Sequence, residues 1–194
     1  MIENQNEYSE QTFDSLENHE SIEKVVFEKC EFTDCDFKEI SFFKCTFIQC
    51  IFRNCDLSMA RFGKCVLTGP EFIRCRCTGI HWTSTEKMEN AILKNTTFSH
   101  CQMDYNLFTG IDLNHIRLDH CRCKEADFEN CDMSHSDCRG TDFTGSTFFN
   151  ANLYKADFRE AKNYTISPVT TKLDEAKFSL PEAPPTLALP TLGA

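Results

Sequence analysis

No run of 18 apolar residues occurs in this chain, which excludes a membrane-spanning helix. The first residues lack a basic segment followed by an apolar one, so no secretory signal is read and a cytoplasmic protein is expected. No cysteines are spaced as C-x-x-C, the knuckle of zinc ribbons. A Gly-rich phosphate loop, a convergent Ser/His/Asp set and paired carboxylates in a pocket are also missing; the expectation is a protein that is not an enzyme and holds no cofactor. Residues 1–21 carry six acids and no lysine or arginine. With a net charge of −10, and because phosphate contact needs an extended basic stripe, direct nucleic-acid binding is disfavoured and a basic protein partner is favoured.

One further absence organises the rest. Large or apolar side chains recur every fifth residue from Phe27 through Phe32, Phe37, Phe42 and onward to Trp82, and again from Leu93 to Phe158. At these 26 central positions no residue is charged or carries an amide or hydroxyl. A step of five rotates about 140° on an α-helix and scatters such residues round the cylinder. On a flat strand an odd step sends each one to the opposite face. The pattern buries itself only if the backbone turns a corner once per unit, so that each central residue points at one axis. Two residues earlier stands a small side chain, as at Cys30, Cys35, Cys45, Ala60, Ala126 and Ala151, and residues two apart in an extended segment share a face. The unit reads small, polar, large, polar, polar. The expected fold is an all-β solenoid of four sides and about six to seven coils, each stacked about 4.8 Å from the next.

Thirteen cysteines fit this frame. Ten occupy the small inward position and three, Cys77, Cys123 and Cys138, are central, so they are read as free, buried thiols that pack the core. Residues 1–21 are expected to form an acidic flexible tail, 22–162 the solenoid, and 163–194 a C-terminal cap with a Pro-rich tail. Between Trp82 and Leu93 the spacing is eleven; with Met88 as a displaced central residue, one extra residue is expected to make a bulge. The fragment from Leu173 to Ala183 is expected to cover the open last coil.

Residues twenty apart should stack on one side of adjacent coils. That rule pairs His100 with His120 and His115 with His135; two imidazoles per pair give no third ligand, and exposed stacks are the simpler reading than a metal site. Lys24, Lys44 and Lys64 form a basic column. Asp112 and Asp132 stack beneath Asn152, and Asp137 stacks on Asp157. Residues 93–160 hold eleven acids and seven bases, most densely over 125–142. The candidate partner-binding surface is therefore Asp112, Asp127, Asp132, Asp137, Asp142 and Asp157, and reversing Asp127, Asp132 and Asp137 to lysine is expected to leave the fold intact while weakening partner binding. Phe149 and Tyr154, each large just after a central residue, and Phe178 and Leu180 are candidate interface or cap residues.

Several pieces carry a resemblance. Cys55-Asp56-Leu57-Ser58-Met59-Ala60, Gly79-Ile80-His81-Trp82-Thr83, the run DFTGSTFFNANLYKADFREAKNY from Asp142 to Tyr164 and KFSLPEA from Lys177 to Ala183 resemble the Qnr-type quinolone-resistance and albicidin-immunity branch of the pentapeptide-repeat proteins. The resemblance implies a right-handed quadrilateral β-helix shaped like DNA. It also implies a partner, DNA gyrase and secondarily topoisomerase IV, that is protected from quinolone- or albicidin-like poisons. A homodimer through the C-terminal segment is implied too, although here Pro184 and Pro185 follow Ala183 and APPTLALPTLGA replaces a Leu-rich turn. Residues 22–162 hold 21 acids and 18 bases, a net −3, against about 18 phosphate charges on DNA of the same length; mimicry then rests on shape, on the acidic patch or on a dimer. The rival reading is a general protein-interaction scaffold with a non-topoisomerase partner.

Overall fold

The computed structural model describes residues 2–16, 21–82 and 93–179. Its chain winds as a four-sided coil of about eight turns, and no helix occurs among the described residues. The first face stacks Glu7–Ser9, Val26–Glu28, Thr46–Ile48, Val66–Thr68 and Leu93–Lys94 as a five-stranded parallel sheet. It continues by single bridges through Asp112, Asp132, Asn152 and Lys172. The second face is a six-stranded parallel sheet from Thr12–Asp14 to Arg117–Asp119, continued by Asp137, Asp157 and Lys177. Bridges through Asp36, Asp56, Arg76, Gln102, Arg122, Asp142 and Lys162 join the third face. The fourth begins with Ile22–Glu23, Ser41–Phe43 and Arg61–Gly63, and ends with His81, Leu107, Asp127 and Thr147.

Each corner turns on the residue two after the central one, which takes a left-handed backbone, as at Lys24 (φ 55), Lys29 (φ 51), Asp34 (φ 51) and Glu39 (φ 59). A left-handed conformation costs a non-glycine residue about 1–2 kcal/mol. The cost is offset by interlocking hydrogen bonds. The corner N–H donates to the next coil, as Lys24 to the Phe43 carbonyl at 2.9 Å. So does the central N–H, as Phe37 to the Asp56 carbonyl at 2.7 Å. In return the residue before each centre donates back, as Asp56 to the Cys35 carbonyl at 3.0 Å.

All 26 central side chains are buried. Rings stack from coil to coil at 5.0 Å for Phe27 on Phe47, 4.7 Å for Phe32 on Phe52, 4.8 Å for Phe52 on Phe72 and 4.9 Å for Phe108 on Phe128. These distances match the rung spacing of about 4.8 Å, and such pairs add about 0.5–1.5 kcal/mol beyond area burial. All thirteen cysteines are free and buried. Those at the small position do more than pack: Cys50 Sγ donates to the Phe27 carbonyl at 3.3 Å and Cys101 Sγ to the Phe72 carbonyl at 3.3 Å. Further along, hydroxyls take over the same bond, as from Thr141 Oγ1 to the Leu118 carbonyl at 2.6 Å.

Three boundaries differ from the sequence reading. Residues 2–16 are not an acidic tail but the first coil: Tyr8 stacks on Phe27 at 5.6 Å and Phe13 on Phe32 at 5.0 Å. Their pairing offset is 19 (8 to 27, 13 to 32), one short of a full coil, which hides them from a search at fixed period. At the other end Lys172 bridges Asn152, and Lys177–Phe178 pairs with Asp157–Phe158, so the coil runs past residue 162. Between Trp82 and Leu93 the chain holds six surplus residues, not one. Leu93 pairs with Leu67, a step of 26 where other coils take 20, so Trp82 and Leu93 sit on consecutive faces. Met88 lies outside the described residues.

Candidate protein-interaction surface

Every aspartate placed directly before a central residue of the later coils has a local task. Its Oδ1 accepts the backbone N–H two residues on: Asp112 from Asn114 (3.0 Å), Asp127 from Glu129 (2.8 Å), Asp132 from Ser134 (2.9 Å), Asp142 from Thr144 (3.0 Å) and Asp157 from Arg159 (3.2 Å). This is the Asx turn, in which a short carboxylate stands in for a backbone acceptor at a tight corner. Position by position these aspartates hold the coil's corners, and lysine at the same sites cannot accept that bond.

The six aspartates do not form one patch. Asp112 and Asp132 lie on the first face, Asp137 and Asp157 on the second, Asp142 on the third and Asp127 on the fourth. The fourth and first faces of three successive coils are residues 106–115, 126–135 and 146–155. They carry four acids (Asp112, Asp127, Glu129, Asp132) and one base, Lys155. The second and third faces of those coils, 116–125, 136–145 and 156–165, carry six acids and six bases. Their charges are also matched in space. Asp137 Oδ2 lies 2.8 Å from Arg139 and 3.7 Å from Arg117, Asp157 Oδ2 lies 2.6 Å from Arg159, and Arg122 is paired with Asp104. The hydrogen bonds from Arg139 and Arg159 hold the Asp137 and Asp157 carboxyls below their usual range. Burial opposes the same shift at Asp142, where bonds from Thr144 and Asn163 outweigh it.

A base-poor acidic surface therefore wraps the corner between the fourth and first faces. Polar ladders keep it rigid. Asn150 Nδ2 donates to Asn130 Oδ1 at 2.8 Å along the corner itself, Asn152 Nδ2 to Asp132 Oδ1 at 3.0 Å, and Thr109 Oγ1 to Asp127 Oδ2 at 2.6 Å. Asn130, Asn150 and Thr109 are not legible as site residues in the sequence, and Glu129 only as one acid of the dense stretch 125–142; assigning each position to a face by its place in the coil is the signal that finds them. In the earlier coils the same corner carries Lys24, Lys44 and Lys64, with Lys44 Nζ 5.3 Å from the Phe43 ring.

The candidate apolar residues divide. Tyr154 is engaged locally, edge-on to His135 at 5.4 Å, with its hydroxyl donating to Glu175 Oε1 at 3.1 Å. Phe178 lies against Phe158 and Tyr164, both at 5.7 Å, as the central ring of the last described coil. Phe149 is 57 % exposed, and Val169, one coil on, is 91 % exposed. Leu180, Pro184 and Pro185 lie outside the described residues. The imidazoles stack as expected, His100 on His120 at 5.4 Å and His115 on His135 at 4.9 Å. Among the described residues no three His, Cys, Asp or Glu side chains converge on a metal-sized point.

A family profile described as a pentapeptide repeat region matches residues 25–87 and 85–158. Among solved structures the chain is similar to two trypsin-treated forms of QnrB1, a plasmid-mediated fluoroquinolone resistance protein. One superposes with a TM-score of 0.65 at 21% identity and the other with 0.67 at 20%, each over 91% of both chains. Full-length QnrB1 superposes with a TM-score of 0.56 at 20% identity, over 90% of this chain and 94% of that one. A search of curated proteins finds no match. At these identities the superposition is evidence of the shared coil. With the repeat profile spanning most of the four-sided stack, the chain belongs to the pentapeptide-repeat family.

Proposed function

We propose that this chain is a binding protein, without catalysis, that occupies the DNA-binding surface of a bacterial type II topoisomerase, DNA gyrase first and topoisomerase IV second, and protects it from quinolone- or albicidin-like poisons. The observation that carries the reading is the acidic corner formed by Asp112, Asp127, Glu129 and Asp132 on a rod whose fold is that of QnrB1. A stiff rod with carboxylates on two adjoining faces, Asp112 and Asp132 one rung apart and Asp127 and Glu129 beside them, offers a basic cleft a cluster of negative charge at one corner. The charge-matched second and third faces serve as its back. The same reading includes a cytoplasmic site of action and a homodimer through the C-terminal segment, with Phe178 beside the junction.

The test is a supercoiling assay with purified gyrase inhibited by a fluoroquinolone or an albicidin-like compound. Added chain restores supercoiling at equimolar amounts and above. Inhibition that stays complete with every poison refutes the proposal. The exposed Phe149 and Val169 favour a second reading, a scaffold for a different, apolar-contacting partner. Affinity capture that repeatedly returns a protein other than a topoisomerase subunit selects it.

A further inference from the structure

The hydrogen-bond pattern gives the rod a direction that its side chains do not. Each unit sends one N–H toward the preceding coil, as Ile51 to the Cys30 carbonyl at 2.9 Å. It presents to that coil two acceptors, the carbonyls just before and just after the central residue, as Asp56 O to Phe37 N at 2.7 Å and Arg53 O to Asp34 N at 2.9 Å. The N-terminal edge of the stack is therefore rich in acceptors. On the first coil this edge consists of Glu7–Ser9 and Thr12–Asp14, the outermost strands of their sheets. Its outward groups are the carbonyls of Glu7, Ser9, Thr12 and Asp14 and the N–H of Thr12, since the Glu7 N–H is already donated to Asn6 Oδ1 at 2.9 Å. Among the described residues no backbone group pairs with this edge, although Ile2 packs against the core and the Glu3 N–H donates to the Tyr8 hydroxyl at 2.9 Å beside it. The central rings Tyr8 and Phe13 are only half-buried, whereas every later central residue through Phe158 is buried.

We propose that this edge is a docking surface for an extended polypeptide segment of a partner, one that carries lysine or arginine alternating with apolar residues and adds as a further strand. Open sheet edges are templates for strand addition. Alternation follows from the pleat: every second side chain of a strand added along Thr12–Asp14 faces the axis and covers Phe13, and the others face out. Charge selects a basic segment. Glu3, Glu7, Glu10 and Asp14 surround the edge with no lysine or arginine in residues 1–21; Lys29, 3.9 Å from Glu10, belongs to the next coil. Unpaired carbonyls of the edge add to the same negative potential. A second copy's strand is disfavoured there by like charge.

The test uses the full chain and a fluorescein-labelled peptide of alternating lysine and valine, with an alternating glutamate–valine peptide as control, read by anisotropy at low salt. The lysine peptide should bind about tenfold tighter or better. On binding it should slow amide hydrogen exchange at Thr12 while leaving interior amides such as Ile51 unchanged. Glu7→Lys/Asp14→Lys should lose this binding, and Asp112→Asn/Asp127→Asn/Asp132→Asn should keep it, which separates the edge from the acidic corner and from any failure of the topoisomerase reading. Equal binding of the two peptides, unchanged exchange at Thr12 in the unaltered chain, or loss only in the corner variant overturns the proposal. Self-association that disappears in Glu7→Lys/Asp14→Lys overturns it as well, because the occupant is then another copy.

Discussion

Charge and corner geometry can be separated at the acidic surface, because asparagine keeps what lysine destroys. In Asp112→Asn/Asp127→Asn/Asp132→Asn each side-chain oxygen still accepts the N–H two residues on, bonds now of 3.0, 2.8 and 2.9 Å. Net charge moves from −10 to −7 (−10 + 3), and the corner surface retains only Glu129 against Lys155. Unfolding free energy should change by no more than about 1 kcal/mol, since one hydrogen bond is worth about 0.5–1.5 kcal/mol and the bonds survive. The lysine triple loses all three and should be about 3 kcal/mol less stable, so charge reversal does not leave the fold untouched. For binding, exposed charges in contact are worth about 1 kcal/mol each in water, and neutralising three should weaken gyrase affinity by about 10- to 100-fold at low salt. The salt dependence should become shallower. A control triple on the back of the rod, Asp137→Asn/Asp142→Asn/Asp157→Asn, removes carboxylates already matched by Arg139, Asn163 and Arg159. Its affinity should change less than about threefold. Immobilised chain titrated with gyrase measures both, and denaturant unfolding checks each fold. Equal losses in the two triples, or no loss in the first, refute the assignment of the surface.

Other consequences are as open to measurement. Phe128 lies between Phe108 at 4.9 Å and Phe148 at 5.2 Å, and Phe128→Ala should cost about 3–5 kcal/mol in denaturant unfolding; a loss below about 1 kcal/mol contradicts close stacking. At the exposed corner Arg74 (φ 54), glycine should be more stable than alanine by about 1 kcal/mol, reversing the order found in helices. Asp137 and Asp157 have lowered folded pKa values, so their contribution is complete above the unfolded value of about 3.9 and disappears as pH falls through the folded values. Stability measured across a pH series should fall below about pH 4, less steeply in Arg139→Met/Arg159→Met. Burial pushes the Cys50, Cys131 and Cys138 thiols up to about 12; a thiol reagent should leave the native chain essentially unlabelled and modify all thirteen cysteines once it is unfolded. Rapid native labelling of several argues against a filled axis.

The axis was legible because its signal is chemical as well as periodic: from Phe27 to Phe158 no polar side chain interrupts it, and each of those residues is buried. The imidazole pairs followed from the twenty-residue repeat alone. Tyr8 and Phe13 escaped because their coil is one residue short, and acids crowd around them. The surplus after Trp82 is ambiguous in the sequence because eleven residues fit one step plus six as well as two steps plus one; pairing of Leu93 with Leu67 decides between them. The aspartates have a second task that the sequence does not show: an exposed carboxylate looks the same whether or not it also caps its own corner, and only the bond to the N–H two residues on reveals it.

A four-sided coil has the arithmetic of a combination lock. Removing one five-residue unit from a stretch such as 116–125 leaves every ring with a neighbour above and below, yet turns all that follows by a quarter revolution. Removing a whole coil shortens the rod and turns nothing. Small in-frame deletions thus dial an exposed surface to a new heading relative to the first coil while the axis keeps its stacked filling.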